Sequence, residues 1–221
     1  MNHRLKNHGV LALISVICFG RAAAAGPAGA ELDNFSIVSA YLCLLLLVVV
    51  LLIGPWYVAV NGRASANIYL RRDIGIWAAL SGLVHFFLAN VLAMNYEYLG
   101  IFVENAAAPP SAEVRGELYA WGTISGYVVA VFFLVLLGLS SDRTLRFIGL
   151  KWWKRIQRIS YVVFILTCAH GFAFQVLESR EMFWIAAVGC VILVALTGQM
   201  YGIAAVRQRR AGKPGKVMGI Y

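Results

Sequence analysis

Charge is scarce in this chain of 221 residues. Only 13% of its residues are Asp, Glu, Lys or Arg, and just ten are acidic, where a soluble domain carries about 25% charged residues. With 61% hydrophobic residues, the solvent for most of the chain is lipid, and an ordinary soluble fold is excluded. Cysteine is scarce and scattered: Cys18, Cys43, Cys168 and Cys190 each stand alone in an apolar stretch. With no CxxC, no CxxCH and no His/Cys cluster, a zinc site, an iron–sulfur cluster and covalently attached c-type haem are excluded, and small apolar packing roles remain. GxGxxG and P-loop patterns are missing too, so any flavin- or nucleotide-binding domain belongs to another chain. The net charge of +9 is gathered between the apolar runs, where it reports membrane topology and not a nucleic-acid partner.

What the chain does have is long apolar runs. A bilayer core needs about 20 apolar residues per helix. Ile37 to Val60, Ile74 to Leu92, Leu118 to Leu139, Ile159 to Leu177 and Met182 to Val206 supply that length. The expected fold is therefore all-α, a polytopic membrane helix bundle over residues 37–206, followed by a basic tail over 207–221. A sixth run, Val10 to Gly20, is shorter, follows Arg4 and Lys6, and leads through Arg21 into Ala22-Ala23-Ala24-Ala25. That pattern favours a secretory signal peptide over residues 1–25, cleaved near Ala25, with a retained first helix as the alternative.

Short cytoplasmic loops are enriched in Lys and Arg. Arg63, Arg71 and Arg72, the run from Arg143 to Arg158, and the tail from Arg207 to Lys216 all fall on one side of the bundle. The other side holds Glu31, Asp33, Glu97, Glu104, Glu113, Glu117, Glu178 and Glu181 against Arg21, Arg115 and Arg180. The expected location is a bacterial inner membrane with the C-terminus cytoplasmic. Pro109-Pro110 lies in the longest outer connection, Tyr96 to Glu117, read as extended and polar. Trp56, Tyr57, Trp121, Trp152, Trp153 and Trp184 fall near span ends, as interfacial anchors do. Gly122 and Gly126 form a GxxxG pair of the kind that brings helices close.

Ionisable side chains within spans are expensive and mark functional interiors. His85 and His170 are each alone in a span, and each lies thirteen residues past a residue of the basic boundary, Arg72 and Gln157. At about 1.5 Å per residue both imidazoles sit about 19–20 Å from that boundary. Two imidazoles at one depth suit bis-histidine ligation of haem iron, one on each face of the macrocycle. Small residues flank them: Ala78, Gly82 and Ala89 beside His85, and Thr167 and Ala173, with Phe174, beside His170. His85 and His170 are thus the expected metal ligands and Gly82 an expected cofactor contact. At the inner level Arg72, Gln157, Arg158 and Trp153 offer cation, amide and aromatic groups to a flavin phosphate or a quinone head. Interfacial anchoring accounts for the same Arg and Trp residues.

The stretch Arg71-Arg72-Asp73-Ile74-Gly75-Ile76-Trp77 leading to His85, with Gly149-Leu150-Lys151-Trp152-Trp153-Lys154-Arg155-Ile156-Gln157-Arg158-Ile159-Ser160-Tyr161 leading to His170, resembles the ferric reductase-like transmembrane domain family. Within it the resemblance is closest to the haem b subunit of bacterial periplasmic methionine sulfoxide reductase systems, and it covers roughly Leu70 to Val206. The resemblance implies a six-helix bundle carrying b-type haem. Wider relatives stack two haems through two histidines per helix, and this chain departs from that, since Arg72 and Gln157 occupy the inner level. One haem b is therefore expected.

The function expected is electron transfer, from a cytoplasmic reductant, such as a flavin reductase, or from the quinone pool, through the haem to a periplasmic redox partner protein. Two alternatives stay open: a non-catalytic anchor or assembly subunit, and a quinol-oxidising subunit of the cytochrome b561 type.

Overall fold

In lipid the backbone has no water to bond, so a chain this apolar must satisfy its polar groups within helices. The computed structural model describes residues 3–24, 31–61, 68–95, 112–178 and 182–211, and no strand occurs among them. The helices are α1 (His3–Ala24), α2 (Glu31–Asn61), α3 (Ile68–Asn95), α4 (Ala112–Leu139), α5 (Asp142–Ile148), α6 (Leu150–Ile156), α7 (Ile159–Leu177) and α8 (Met182–Ala211). Six of them, all but α5 and α6, are long and apolar enough to cross a membrane, so the chain is a multi-pass membrane protein. Successive spans alternate in direction. Arg71, Arg72, Arg143, Arg146 and Lys151 therefore lie at one end of the bundle, the basic end, and Glu31, Asp33, Glu113, Glu117 and Glu178 at the other, the acidic end.

α2 is the hub. It is apolar on every side, as a helix surrounded by protein and lipid must be, and its Leu42, Cys43, Leu46, Leu47, Leu51 and Ile53 are buried. It packs most extensively on α3 and also meets α1, α7 and α8, while α4 bridges α3 and α7. Pro55 interrupts the hydrogen-bond ladder of α2. α8 closes on that point because Gly202 has no side chain: a Cβ there would stand 3.0 Å from the proline ring. Large apolar side chains such as Phe87, Ile165, Leu193 and Met200 point outward and exposed, as lipid-facing residues do.

The five expected spans are all present, and most run further than expected. α4 begins at Ala112, so 112–117 are helical where an extended connection was expected; Glu113 in the first turn suits the positive end of the helix dipole. Pro109-Pro110 lies outside the described residues. α8 likewise continues to Ala211, so the first residues of the expected tail are helical, and those after Ala211 lie outside the described residues. Trp56, Trp121, Trp152 and Trp184 are exposed near helix ends, but Trp153 is buried, and its indole N–H donates to the Leu139 carbonyl at 3.1 Å. It ties the connector to the end of α4 instead of anchoring in the interface.

The N-terminal run is a full helix docked on α2 and α3. At the basic end Asp73, with no exposed surface, accepts from Arg4 Nε at 3.2 Å and from Asn7 Nδ2 at 3.0 Å, and His8 Nε2 lies 3.5 Å away. The Trp77 indole donates to His8 Nδ1 at 3.0 Å. Arg72, equally buried on its side chain, donates to Asp142 at 2.6 Å, and Arg4 reaches the same carboxylate at 3.2 Å. The short α5 that carries Asp142 starts from Ser141, whose hydroxyl caps the Thr144 N–H at 3.0 Å. Gly149, at φ 79°, makes the break into α6.

Candidate functional site

His85 on α3 and His170 on α7 meet in the interior. Their ring centroids are 6.0 Å apart and the planes are inclined at 74°. The sequence distance to the basic boundary placed them at one depth, and the packing of both helices around α2 and α4 brings them together.

Each ring is held through the same nitrogen. His85 Nδ1 lies 2.9 Å from the Ser36 carbonyl of α2 and 3.2 Å from the Ser36 hydroxyl. His170 Nδ1 lies 2.8 Å from the Gly122 carbonyl of α4. A carbonyl can only accept, so Nδ1 must carry the hydrogen in both rings. Nε2 is then the basic nitrogen, and no hydrogen bond reaches it in either ring among the described residues. This is how ligating histidines are commonly set: one nitrogen donates to a fixed acceptor, which fixes the tautomer and raises the basicity of the other.

The separation fits the same chemistry. A metal–imidazole bond of about 2 Å on each side, with about 1 Å from nitrogen to ring centre, puts two trans imidazole centroids about 6 Å apart. No group of three His, Cys, Asp or Glu able to hold a bare metal ion occurs among the described residues. Two imidazoles complete a metal centre only where the other ligands come with the group, as the four nitrogens of a porphyrin do.

The surroundings hold the rings closely. A Cβ on Gly126 would stand 2.8 Å from His170 Cε1, and one on Gly122 would stand 2.9 Å from the Phe174 ring. The GxxxG pair therefore lets α4 close on the face of α7 that carries His170 and Phe174, whose rings lie 4.9 Å apart. On the other side Tyr127 of α4 donates to Asn90 Oδ1 at 2.6 Å and packs edge-on against Phe86, tying α4 to α3 beside His85. Ser39, fully buried, donates to the Ser36 carbonyl at 2.8 Å.

The other expected site residues are distributed differently. Gly82 lies one turn from His85 but faces Phe133 of α4 and Cys43 of α2, and a Cβ would overlap the Phe133 ring. Its smallness serves helix approach. At the basic end, Arg72 is engaged with Asp142 and the Tyr69 ring, Trp153 with Leu139, and Arg158 is exposed. No hydrogen bond or ring contact joins Arg72, Gln157, Arg158 and Trp153 to one another among the described residues, Gln157 and Trp153 being linked only through the backbone. An apolar groove of about 250 Å³ opens between α2, α7 and α8, lined by Leu51, Tyr161, Phe164, Cys168, Ile192 and Gln199; neither histidine lines it.

Sequence patterns did not point to Ser36, the Gly122 carbonyl or Arg115. Backbone acceptors carry no residue signature, and only the i, i+3 pair Ser36 and Ser39, at the start of an otherwise apolar span, hinted at a polar task there. Arg115, at the acidic end, is 3% exposed and donates to the Leu177 carbonyl at 2.6 Å.

Six helices able to span a membrane, with two imidazoles 6.0 Å apart between them and one nitrogen of each unengaged among the described residues, define a multi-pass membrane protein with a paired-histidine site. The chain belongs to the ferric reductase-like transmembrane component family, whose model matches residues 36–168. The match opens on Ser36 and closes two residues before His170. It makes the protein a membrane electron-transfer component, of a domain type that commonly binds haem. No curated protein and no solved structure matches the chain.

Proposed function

We propose that the protein is a membrane b-type cytochrome that carries electrons through one haem b ligated by His85 and His170. The observation that carries this reading is the approach of the two rings to 6.0 Å with Nδ1 of both engaged by backbone carbonyls. Haem, when bound, supplies a one-electron iron couple. The chain's own residues do the rest: Ser36 and Gly122 hold the imidazoles in the ligating tautomer, and the apolar span interiors keep water from the centre.

The basic end faces the cytoplasm in this reading, by the enrichment of Lys and Arg in cytoplasmic loops. Electrons enter there from a cytoplasmic reductant or from quinol and leave at the acidic end to an outer-face acceptor. The resemblance of the Arg71 to Trp77 and Gly149 to Tyr161 stretches together to the haem b subunit of methionine sulfoxide reductase systems supports a periplasmic redox protein as that acceptor. Docking of α1 through Arg4, Asn7 and His8 supports its retention as the first span. With six spans, the start of α1 and the end of α8 then both lie on the cytoplasmic side.

A reduced-minus-oxidised absorption spectrum of the purified protein tests the reading. A b-type alpha band that disappears in His85→Ala and in His170→Ala is expected. No band in the wild-type protein, or an unchanged band in both variants, overturns it.

A further inference from the structure

Arg115 is a buried cation whose hydrogen-bonding capacity is mostly unused. Its side chain is 3% exposed, one nitrogen donates to the Leu177 carbonyl at 2.6 Å, and Nε and Nη1 are buried without a partner. No carboxylate pairs with it among the described residues. A guanidinium taken out of water needs an anion or a full set of acceptors, because an unpaired buried charge is among the most costly features a fold can carry. One carbonyl is not that set.

Its position says which anion. Arg115 precedes Gly122 by seven residues on α4, and Leu177 follows His170 by seven on α7. Seven residues are two helical turns, so on each helix the pair shares a face. Gly122 and His170 are joined by the hydrogen bond at 2.8 Å, and Arg115 and Leu177 by theirs at 2.6 Å. Between the two levels Phe174 packs on His170 and Tyr119 on Phe174, at 4.9 and 6.2 Å. Arg115 therefore stands about 10 Å beyond His170 toward the acidic end, on the α4–α7 seam that holds that ring.

We propose that Arg115 binds a carboxylate of the prosthetic group: its free N–H groups receive a propionate of the haem that His85 and His170 ligate. This rests on the haem reading above. A b-type haem carries its two propionates on one edge, and a guanidinium is the side chain best matched to a carboxylate. The arginine also decides which way the haem enters, with its acidic edge toward the acidic end of the bundle. The carboxylate completes the charge of a residue that the protein alone leaves unpaired.

The test compares reconstitution of haem-stripped protein with iron protoporphyrin IX and with its dimethyl ester, in which both propionates are blocked. In wild-type protein the free acid binds better than the ester, and Arg115→Gln lowers the ratio of the two affinities about tenfold, as loss of a charge-assisted hydrogen bond does. Arg115→Lys, which keeps the charge, restores part of the ratio. The midpoint potential of the bound haem falls in Arg115→Gln, because a cation near iron favours the reduced state. Equal weakening of acid and ester, with an unchanged potential, shows that Arg115 only braces the Leu177 carbonyl and overturns the proposal. If Arg115→Gln does not fold, the ratio in Arg115→Lys decides, and an unchanged ratio there is equally fatal. Failure of the wild-type protein to bind either form overturns the haem reading itself, and this inference with it.

Discussion

The Ser36 carbonyl lies 2.9 Å from His85 Nδ1 and also accepts the Ser39 hydroxyl at 2.8 Å. The acceptor that sets the ring is thus main chain, and its side-chain partner is a single hydroxyl. Replacing a side-chain partner of a ligating histidine usually costs about 10- to 100-fold in metal affinity. Ser36→Ala keeps the carbonyl and should cost less than that. His85→Gly should abolish the alpha band, and millimolar imidazole in the buffer should bring it back, since the space left matches the missing ring. A band that survives His85→Gly without imidazole would show that this ring is not a ligand.

Close approach of α4 to α7 makes Gly126 a sensitive position. A Cβ there would stand 2.8 Å from His170 Cε1 and 2.9 Å from Nδ1, tighter than van der Waals contact allows. Gly126→Ala should destabilise the protein by about 1–3 kcal/mol through overpacking and should release haem by turning His170 from the Gly122 carbonyl. Gly138, on the same helix, has open space where its Cβ would go, so Gly138→Ala should be neutral or slightly stabilising. Thermal unfolding in detergent, followed at the haem band and by far-UV dichroism, separates the two. Equal behaviour of the two variants would refute the packing argument.

These two positions show how far the sequence could be read. The histidine pair was legible because depth in a membrane is a count along the chain, and both counts are thirteen. The carbonyls that orient the rings were not, since any residue can supply one. Small residues serve cofactor approach and helix packing alike, so the sequence alone does not show that Gly82 lies against Phe133 and Cys43. Arg115 looked like one of the few cations in an outer connection. Its burial depends on α4 beginning at Ala112, six residues before the apolar run that marked the span, and a hydropathy boundary is blind to a helix that continues through charged residues. The signal-peptide pattern of the N-terminal run rests on the shortness of its apolar core, which says nothing of Arg4, Asn7 and His8, whose partner Asp73 lies 66 residues from Asn7.

That network makes retention of α1 measurable. Cleavage near Ala25 would remove Arg4, Asn7 and His8, the side chains that bond the fully buried Asp73 among the described residues, and stripping the partners from a buried charge costs about 3–5 kcal/mol. The mature protein should therefore keep α1, and N-terminal peptide mapping should recover residues His3–Ala24. Arg4→Ala should destabilise it in thermal unfolding by less than Asp73→Ala, because Arg4 is part-exposed while Asp73 is not. A mature N-terminus found near residue 26 would overturn this.

Outside the spans, the Arg72–Asp142 pair sets an acid limit. Asp142 is 54% exposed on its side chain, and the hydrogen bond from Arg72, helped by the charges of Arg72, Arg4 and Arg146, holds its carboxyl below the ordinary carboxylate range. A carboxyl with a lowered folded-state value favours folding wherever it is ionised in both states, so this contribution is whole above about pH 4–5. It disappears as pH falls through the lowered value, where the folded state takes up the proton too. Asp142→Asn removes it at every pH. The difference in unfolding temperature between wild type and Asp142→Asn should therefore be level from about pH 8 to about pH 5 and shrink as pH falls below the ordinary carboxylate range. Because the carboxylate faces water, it should also narrow as salt rises. A difference that grows on acidification would mean that the pair is not what couples α3 to the α4–α5 corner, and that Arg72 holds its place through the Tyr69 ring alone.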